Sequence, residues 1–298
     1  MMIDMNEKVG WIGTGVMGKS MCNHILTAGY QINVYNRTKE KAKELVNMGA
    51  NWCSNTREIA EESDIVFTIV GFPTDVEEVY LGENGILKSI KSGSIVVDMT
   101  TSEPSLAQKI YKEAKKIGVS SLDAPVSGGD VGARSGKLAI MIGGDKVTYE
   151  KVLHFFELMG ENISYMGKAG AGQHTKMSNQ ILIASTMIGT VESLLYAHKA
   201  GNDLEEVINV IGKGAAGCWS INNLGPRIAN RNFEPGFFIK HFVKDMGIAL
   251  KEASIMNLSL PGLALAYQFY MYAMALGLEN MGSHGLYKVL AEMNGIEI

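Results

Sequence analysis

The sequence predicts an α/β fold through the first half of the chain and an all-α fold through the second. Three observations carry that reading. Short apolar runs rich in β-branched residues alternate with stretches of helical spacing up to about residue 167, the pattern of a parallel sheet whose strands are joined by helices. A glycine-rich turn, Gly13-Thr14-Gly15-Val16-Met17-Gly18, stands at the first strand-to-helix junction. Beyond residue 167 strand signals fade, and helical spacing runs to the C-terminus. The predicted domains are therefore 1–167 and 168–298.

Each element has its own local reason. Val9-Gly10-Trp11-Ile12 is a short apolar strand, and the next helix is predicted over 17–28, closed by Gly29 as a left-handed terminator. Gln31-Ile32-Asn33-Val34-Tyr35 forms the second strand, followed by a charged helix over 39–48. Residues 65–70 and 94–98 are near-continuous apolar runs, as expected of central strands covered on both faces. Further strands are predicted over 121–124 and 138–142, the second ended by Gly143-Gly144-Asp145. In the second half, one long helix is predicted over 173–200, ending near Gly201, and another over 263–277.

Composition narrows the function classes. With 298 residues, 46% hydrophobic and 19% charged, the chain can bury a large core. A formal net charge of −4 gives no general attraction for nucleic acid or anionic membrane. An acidic substrate would need local positive groups. Cys22, Cys53 and Cys218 lack CxxC spacing, which fits free thiols in a reducing cytoplasm rather than a disulfide frame or a metal site. The start, Met1 to Lys8, lacks the basic end and apolar run of a signal peptide. The most membrane-like stretch, 177–197, carries Asn179, Gln180 and Glu192 and reads as a buried helix.

The glycine turn has a physical purpose. Gly13-x-Gly15-x-x-Gly18 after a strand and before a helix provides a tight turn, close backbone approach to a pyrophosphate and close helix–strand packing. The helix N-terminus adds free N–H groups and partial positive charge for the phosphates. Residues 13–18 are therefore candidate ligands of a nicotinamide dinucleotide in a Rossmann-type domain. The second strand ends in Asn36-Arg37-Thr38, where NAD-binding folds place an acid on the ribose. Asn36 removes that charge, while Arg37 and Thr38 can hold a 2′-phosphate. The expected preference is NADP(H), with NAD(H) as the alternative; an exposed polar turn is the plainer reading.

These residues and three further segments resemble the β-hydroxyacid dehydrogenase family. Asp123-Ala124-Pro125-Val126-Ser127-Gly128-Gly129 looks like its substrate-binding motif. Residues 167–180, with Lys176, Asn179 and Gln180, resemble its catalytic segment, and Phe237 through Lys244-Asp245 its stretch that closes the site from the helical domain. The motifs keep the family's order over almost the whole chain. The resemblance implies reversible hydride transfer between a small carboxylate-bearing hydroxyacid and its semialdehyde or keto acid. Members of this size include 3-hydroxyisobutyrate dehydrogenases, tartronate semialdehyde reductases and reductases of glyoxylate and succinic semialdehyde. Members acting on phosphosugar acids carry a much longer helical domain.

The chemistry suits the residues. Hydride delivery to a carbonyl builds charge on oxygen, so a proton donor is needed there, and Lys176 near the start of the long helix fits. Asn179 shares its helix face and can orient the oxygen or the amine. Ser127, Gly128 and Gly129 offer a hydroxyl and unobstructed N–H groups to a carboxylate. Thr101 falls at the end of a central strand and is expected to contact cofactor or substrate, while Thr100 could cap the next helix. Val70, in the loop Val70-Gly71-Phe72-Pro73-Thr74, is expected beside the nicotinamide half. By resemblance, Phe237 and Lys240 face the substrate, and Lys244 and Asp245 the cofactor, Asp245 rather as a structural partner than as a proton carrier. Gln180 stands where some members carry a second asparagine. The alternatives are an imine reductase, a class that generally lacks the lysine, and a non-catalytic nucleotide-binding module. The apolar helix over 173–200 predicts a homodimer or homotetramer.

Overall fold

A computed structural model describes residues 7–297. The residues that begin the N-terminal segment, 1–6, lie outside them. The chain divides into two compact units, one ending at Lys176 and the other beginning at Met177.

Among the described residues the first unit holds nine strands in one sheet. They are β1 (Lys8–Ile12), β2 (Gln31–Tyr35), β3 (Asn51–Trp52), β4 (Ile65–Thr68), β5 (Ile95–Asp98), β6 (Ser120–Asp123), β7 (Val126–Ser127), β8 (Leu138–Gly144) and β9 (Gly160–Gly167). The order β3-β2-β1-β4-β5-β6 is parallel throughout, the arrangement of a dinucleotide-binding sheet with its order reversing beside β1. Side chains sort by the two-residue period of a strand. Val9, Trp11, Ile65, Phe67, Ile95 and Val97 enter one core, and Ile12, Val66 and Val96 the other. Both faces are thus covered, which explains the unbroken apolar runs.

The far edge departs from the parallel expectation. β8 runs antiparallel to β6 and β7, and β9 lies parallel to β8 on its other side. The predicted helix over 39–48 also breaks, into a 3-10 turn Lys39–Ala42 and a short α-helix Lys43–Asn47. The helix after β1 spans Val16–Thr27, and Gly29 follows it at φ 99°, the left-handed terminator its position demands.

The second unit is helical. The helix Ala171–Lys199 runs across the division between the units, and Leu204–Ile211, Gly225–Ala229, Ile239–Ile255, Pro261–Ala275 and Leu286–Met293 follow. It is long and apolar enough to cross a membrane by length and composition. Its Ala184, Met187, Val191 and Leu194, however, pack in the unit's core with Phe242, Tyr270 and Leu286. The three cysteines are free thiols. Burial pushes the Cys53 thiol up to about 11, so it stays protonated.

Candidate active site

The glycine turn divides its labour as steric reasoning requires. Gly13 has φ 98°, and a Cβ there would strike the carbonyl of Ile69. A Cβ on Gly18 would meet the Gly13 carbonyl and come within 2.6 Å of Ile69 Cγ2. Gly15 differs: a Cβ there meets nothing within 4 Å. Gly15 is the N-cap of Val16–Thr27, whose first turn has neither a side-chain cap nor an acidic residue. The N–H groups of this helix end are therefore open to an anion. Thr14 is buried, and among the described residues its Oγ1 has no hydrogen-bond partner. An open helix end with an orphaned hydroxyl beside it fits the chemistry of a dinucleotide pyrophosphate.

At the end of β2, Asn36 has a task the sequence did not suggest. Its Oδ1 accepts from Thr14 N–H at 2.9 Å and its Nδ2 donates to Thr38 O at 2.8 Å. The side chain braces the glycine turn instead of standing free. The Arg37 side chain is 87% exposed, and among the described residues it pairs with Asp75 at 3.4 Å, an arrangement worth little in water. Its guanidinium is available to a phosphate.

The ends of β4 and β5 are tied by a buried acid. Asp98 Oδ1 accepts from Thr68 Oγ1 at 2.9 Å and from Thr100 N–H at 3.1 Å. Tyr80 hydroxyl lies 3.0 Å from Thr68 Oγ1. Burial pushes the Asp98 carboxyl up to about 6, against the pull of these hydrogen bonds. Thr100 does not cap a helix, since Glu103 is the N-cap of Pro104–Lys116. Its Oγ1 accepts from Val70 N–H at 2.9 Å instead. This bond sets the loop that begins at Val70 against the segment carrying Thr101.

The helix with Lys176 is anchored to the same sheet edge. Asp123, the last residue of β6, accepts from Gly170 N–H at 2.7 Å and from Gln173 N–H at 2.9 Å. Burial raises its carboxyl above the usual range while these N–H groups pull the other way. Gln173 donates through Nε2 to Thr100 O at 2.7 Å and accepts through Oε1 from Ser102 N–H at 3.0 Å. Lys176 follows one turn later and is only 6% exposed. Ser127 precedes two consecutive left-handed glycines, Gly128 at φ 132° and Gly129 at φ 63°, a turn that L side chains resist.

In the second unit, Asn179 Nδ2 donates to Gln180 Oε1 at 2.7 Å, and Gln180 Nε2 donates to Asp245 Oδ2 at 2.7 Å. Lys244 Nζ lies 3.1 Å from Asp245 Oδ1, both side chains being largely buried. The longer stem of Gln180 thus reaches Asp245. Lys240 is not a loose cation: it donates to Asn280 Oδ1 at 2.8 Å and lies over the Phe238 ring. Phe237 packs edge-on against Phe242. Among the described residues, no group of three or more His, Cys, Asp or Glu is placed to hold a metal ion.

Asp98, Asp123 and Gln173 were missed as site residues. The available signal was an ionisable residue closing an apolar strand, in Ile95-Val96-Val97-Asp98 and in Ser121-Leu122-Asp123. Strand carboxyl ends are where ligands gather in open α/β sheets.

Comparison with known proteins agrees with this geometry. Residues 8–167 match the family model described as the NAD binding domain of 6-phosphogluconate dehydrogenase. Residues 170–290 match the model described as NAD-binding of NADP-dependent 3-hydroxyisobutyrate dehydrogenase. The chain is 51% identical over 294 residues to probable 3-hydroxyisobutyrate dehydrogenase-like 1, mitochondrial, of Arabidopsis thaliana, covering 98% of this chain and 88% of that one. It is 37% identical over 286 residues to 2-hydroxy-3-oxopropionate reductase of Escherichia coli, covering 96% and 98%. The structure of 3-hydroxyisobutyrate dehydrogenase from Mycobacterium tuberculosis with L-serine superposes at a TM-score of 0.88 with 26% identity, covering 96% and 99%. A glycine cradle, a buried lysine and matches spanning both units converge on one conclusion: the chain belongs to the β-hydroxyacid dehydrogenase family of NAD(P)-dependent oxidoreductases acting on CH–OH groups.

Proposed function

We propose that this enzyme prefers NADP(H) and interconverts a small β-hydroxyacid with its semialdehyde or keto acid, Lys176 moving the proton. The burial of Lys176 carries this reading. A lysine 6% exposed is uncommon, and this one follows directly on the turn held by Asp123 and Gln173. The nicotinamide supplies or accepts the hydride when bound. Lys176 as ammonium gives its proton to the carbonyl oxygen in reduction, and as neutral amine takes the hydroxyl proton in oxidation. Asn179, three residues on, orients the oxygen or the amine. Ser127, Gly128 and Gly129 hold the substrate carboxylate through a hydroxyl and main-chain N–H groups. Phe237 and Lys240 are the further substrate candidates.

On the cofactor side, Thr101 and Val70 line the nicotinamide half, and Lys244 and Asp245 are further candidates. The exposed Arg37 with uncharged Asn36 supports a 2′-phosphate, Thr38 adding a hydroxyl. NAD(H) is the alternative cofactor. Leu182 and Tyr196, 65% and 78% exposed on the long helix, support a homodimer or homotetramer, which light scattering reads directly. Three free thiols fit a reducing, cytoplasmic setting.

The test is a panel of glyoxylate and the succinic, tartronate and methylmalonate semialdehydes, each with NADPH and NADH. At least one should be reduced, and faster with NADPH; equal efficiency with NADH would remove the cofactor preference. Lys176→Ala should lower kcat by about 10³-fold while leaving the NADPH dissociation constant within about threefold. Turnover above a tenth of wild type would refute the role of Lys176.

A further inference from the structure

One side chain grips the main chain on both sides of Thr101. Gln173 Nε2 donates to Thr100 O and Gln173 Oε1 accepts from Ser102 N–H, at 2.7 and 3.0 Å, and the side chain is fully buried. Only one orientation of the amide lets its donor meet the carbonyl and its acceptor meet the N–H. The backbone of Gln173 is fixed separately, through its N–H bond to Asp123 Oδ2. On the other side, Thr100 reaches Val70 N–H through Oγ1 and Asp98 through its own N–H. Hydrogen bonds therefore run without a break from Val70, beyond the end of β4, through Thr100 to Gln173. Lys176 stands one helical turn further.

We propose that Gln173 is a positioning residue: it holds the Thr101 segment and the start of the Lys176 helix at one fixed spacing. This rests on Lys176 being the proton donor. The amide of Gln173 contacts main chain rather than the reacting atoms, so its loss should appear in turnover and not in cofactor affinity. Displacement of reacting groups by about an ångström costs about 10²-fold in rate, which sets the scale expected.

Gln173→Glu keeps the size of the side chain and makes the test specific. As a carboxylate it still accepts from Ser102 N–H but faces the Thr100 carbonyl with a second acceptor. Protonated, it restores both bonds. At pH 8 its kcat should fall by about 10- to 100-fold while the NADPH dissociation constant, from fluorescence titration, stays within about threefold. Towards pH 6 part of that loss should return, relative to wild type at the same pH. Gln173→Leu makes neither bond and should lose turnover at both pH values. If Gln173→Leu does not fold, the acid recovery of Gln173→Glu decides alone. Wild-type kcat in folded Gln173→Glu, an equal loss of cofactor affinity, or no acid recovery would each overturn the proposal. Lys176→Ala assayed in parallel separates the two ideas. If it retains turnover, both fall; if it is inactive while the Gln173 variants are normal, only the positioning role falls.

Discussion

Val16–Thr27 and Ala171–Lys199 both follow a glycine-rich lead-in, and they treat their N-termini in opposite ways. Val16–Thr27 follows Gly13-x-Gly15-x-x-Gly18, has no side-chain cap and carries no acid in its first turn. Ala171–Lys199 follows Gly167-x-x-Gly170, and there the carboxylate of Asp123 takes the N–H groups of Gly170 and Gln173. The glycines serve correspondingly different ends. Gly15 leaves open space. Gly143 and Gly172 instead make room for a resident acid: a Cβ on Gly143 would lie 2.5 Å from Asp123 Oδ1, and one on Gly172 would lie 2.9 Å from Asp123 Oδ2. A helix N-terminus is an anion site only where the fold leaves it unfilled. The first leaves its N–H groups uncapped by side chains; the second is held by Asp123 and leads into Lys176.

The strongest way to break this contrast is to empty the second site. Asp123→Ala leaves two buried main-chain N–H groups without their acceptor, each worth about 1–3 kcal/mol, so a loss of about 4 kcal/mol is expected in urea denaturation. Turnover should fall with it, since Lys176 loses its mount. A loss below about 1 kcal/mol would mean that Asp123 is not what holds this helix, and the contrast would collapse.

Titration sharpens the role of the acids. Asp98 and Asp123 are register partners on β5 and β6, and burial holds Asp98 at about 6, above its ordinary value of 3.8. Between these values the folded protein keeps a proton that the unfolded chain has released. Unfolding then releases that proton, so stability declines as pH rises from about 4 to about 6 and levels off above. The shift corresponds to roughly 3 kcal/mol. Asp98→Asn retains an oxygen to accept from Thr68 and Thr100 but does not titrate. The stability of the variant relative to wild type should therefore grow by roughly that amount between pH 4 and pH 7, read from urea midpoints. A constant difference across this range would place the Asp98 titration at its ordinary value.

Much of this architecture was legible because its causes are local. The β-branched runs at 65–68 and 95–98 and the terminator Gly29 declare themselves within a few residues. The glycine turn did so as well, since the close packing at Gly13 and Gly18 depends on a short segment and one neighbouring strand. The antiparallel β8 edge was not legible, because pairing direction is set by where the chain returns and not by alternation. Nor was the brace around Lys176. Asp123 meets Gly170 across 47 residues and Gln173 meets Thr100 across 73, and no local pattern announces either. Asn36 belongs to the same class: its absent charge could be read, but its bond to Thr14 could not.

The finest test returns to the open helix end, with two substitutions three residues apart. Gly18→Ala drives a methyl into the Gly13 carbonyl and Ile69 Cγ2, and overpacking of this kind costs about 2 kcal/mol of stability. Gly15→Ala meets nothing within 4 Å, and its φ of −68° suits any residue. Its stability should stay within about 0.5 kcal/mol of wild type. Yet its methyl projects from the residue that caps the open N–H groups, where a pyrophosphate must come close. NADPH affinity should therefore weaken by about tenfold, near 1.4 kcal/mol, with the fold intact. Fluorescence titration beside a urea curve separates the two effects. If Gly15→Ala binds NADPH as wild type does, the phosphates lie elsewhere, and the two helix ends would differ in what fills them but not in what they do.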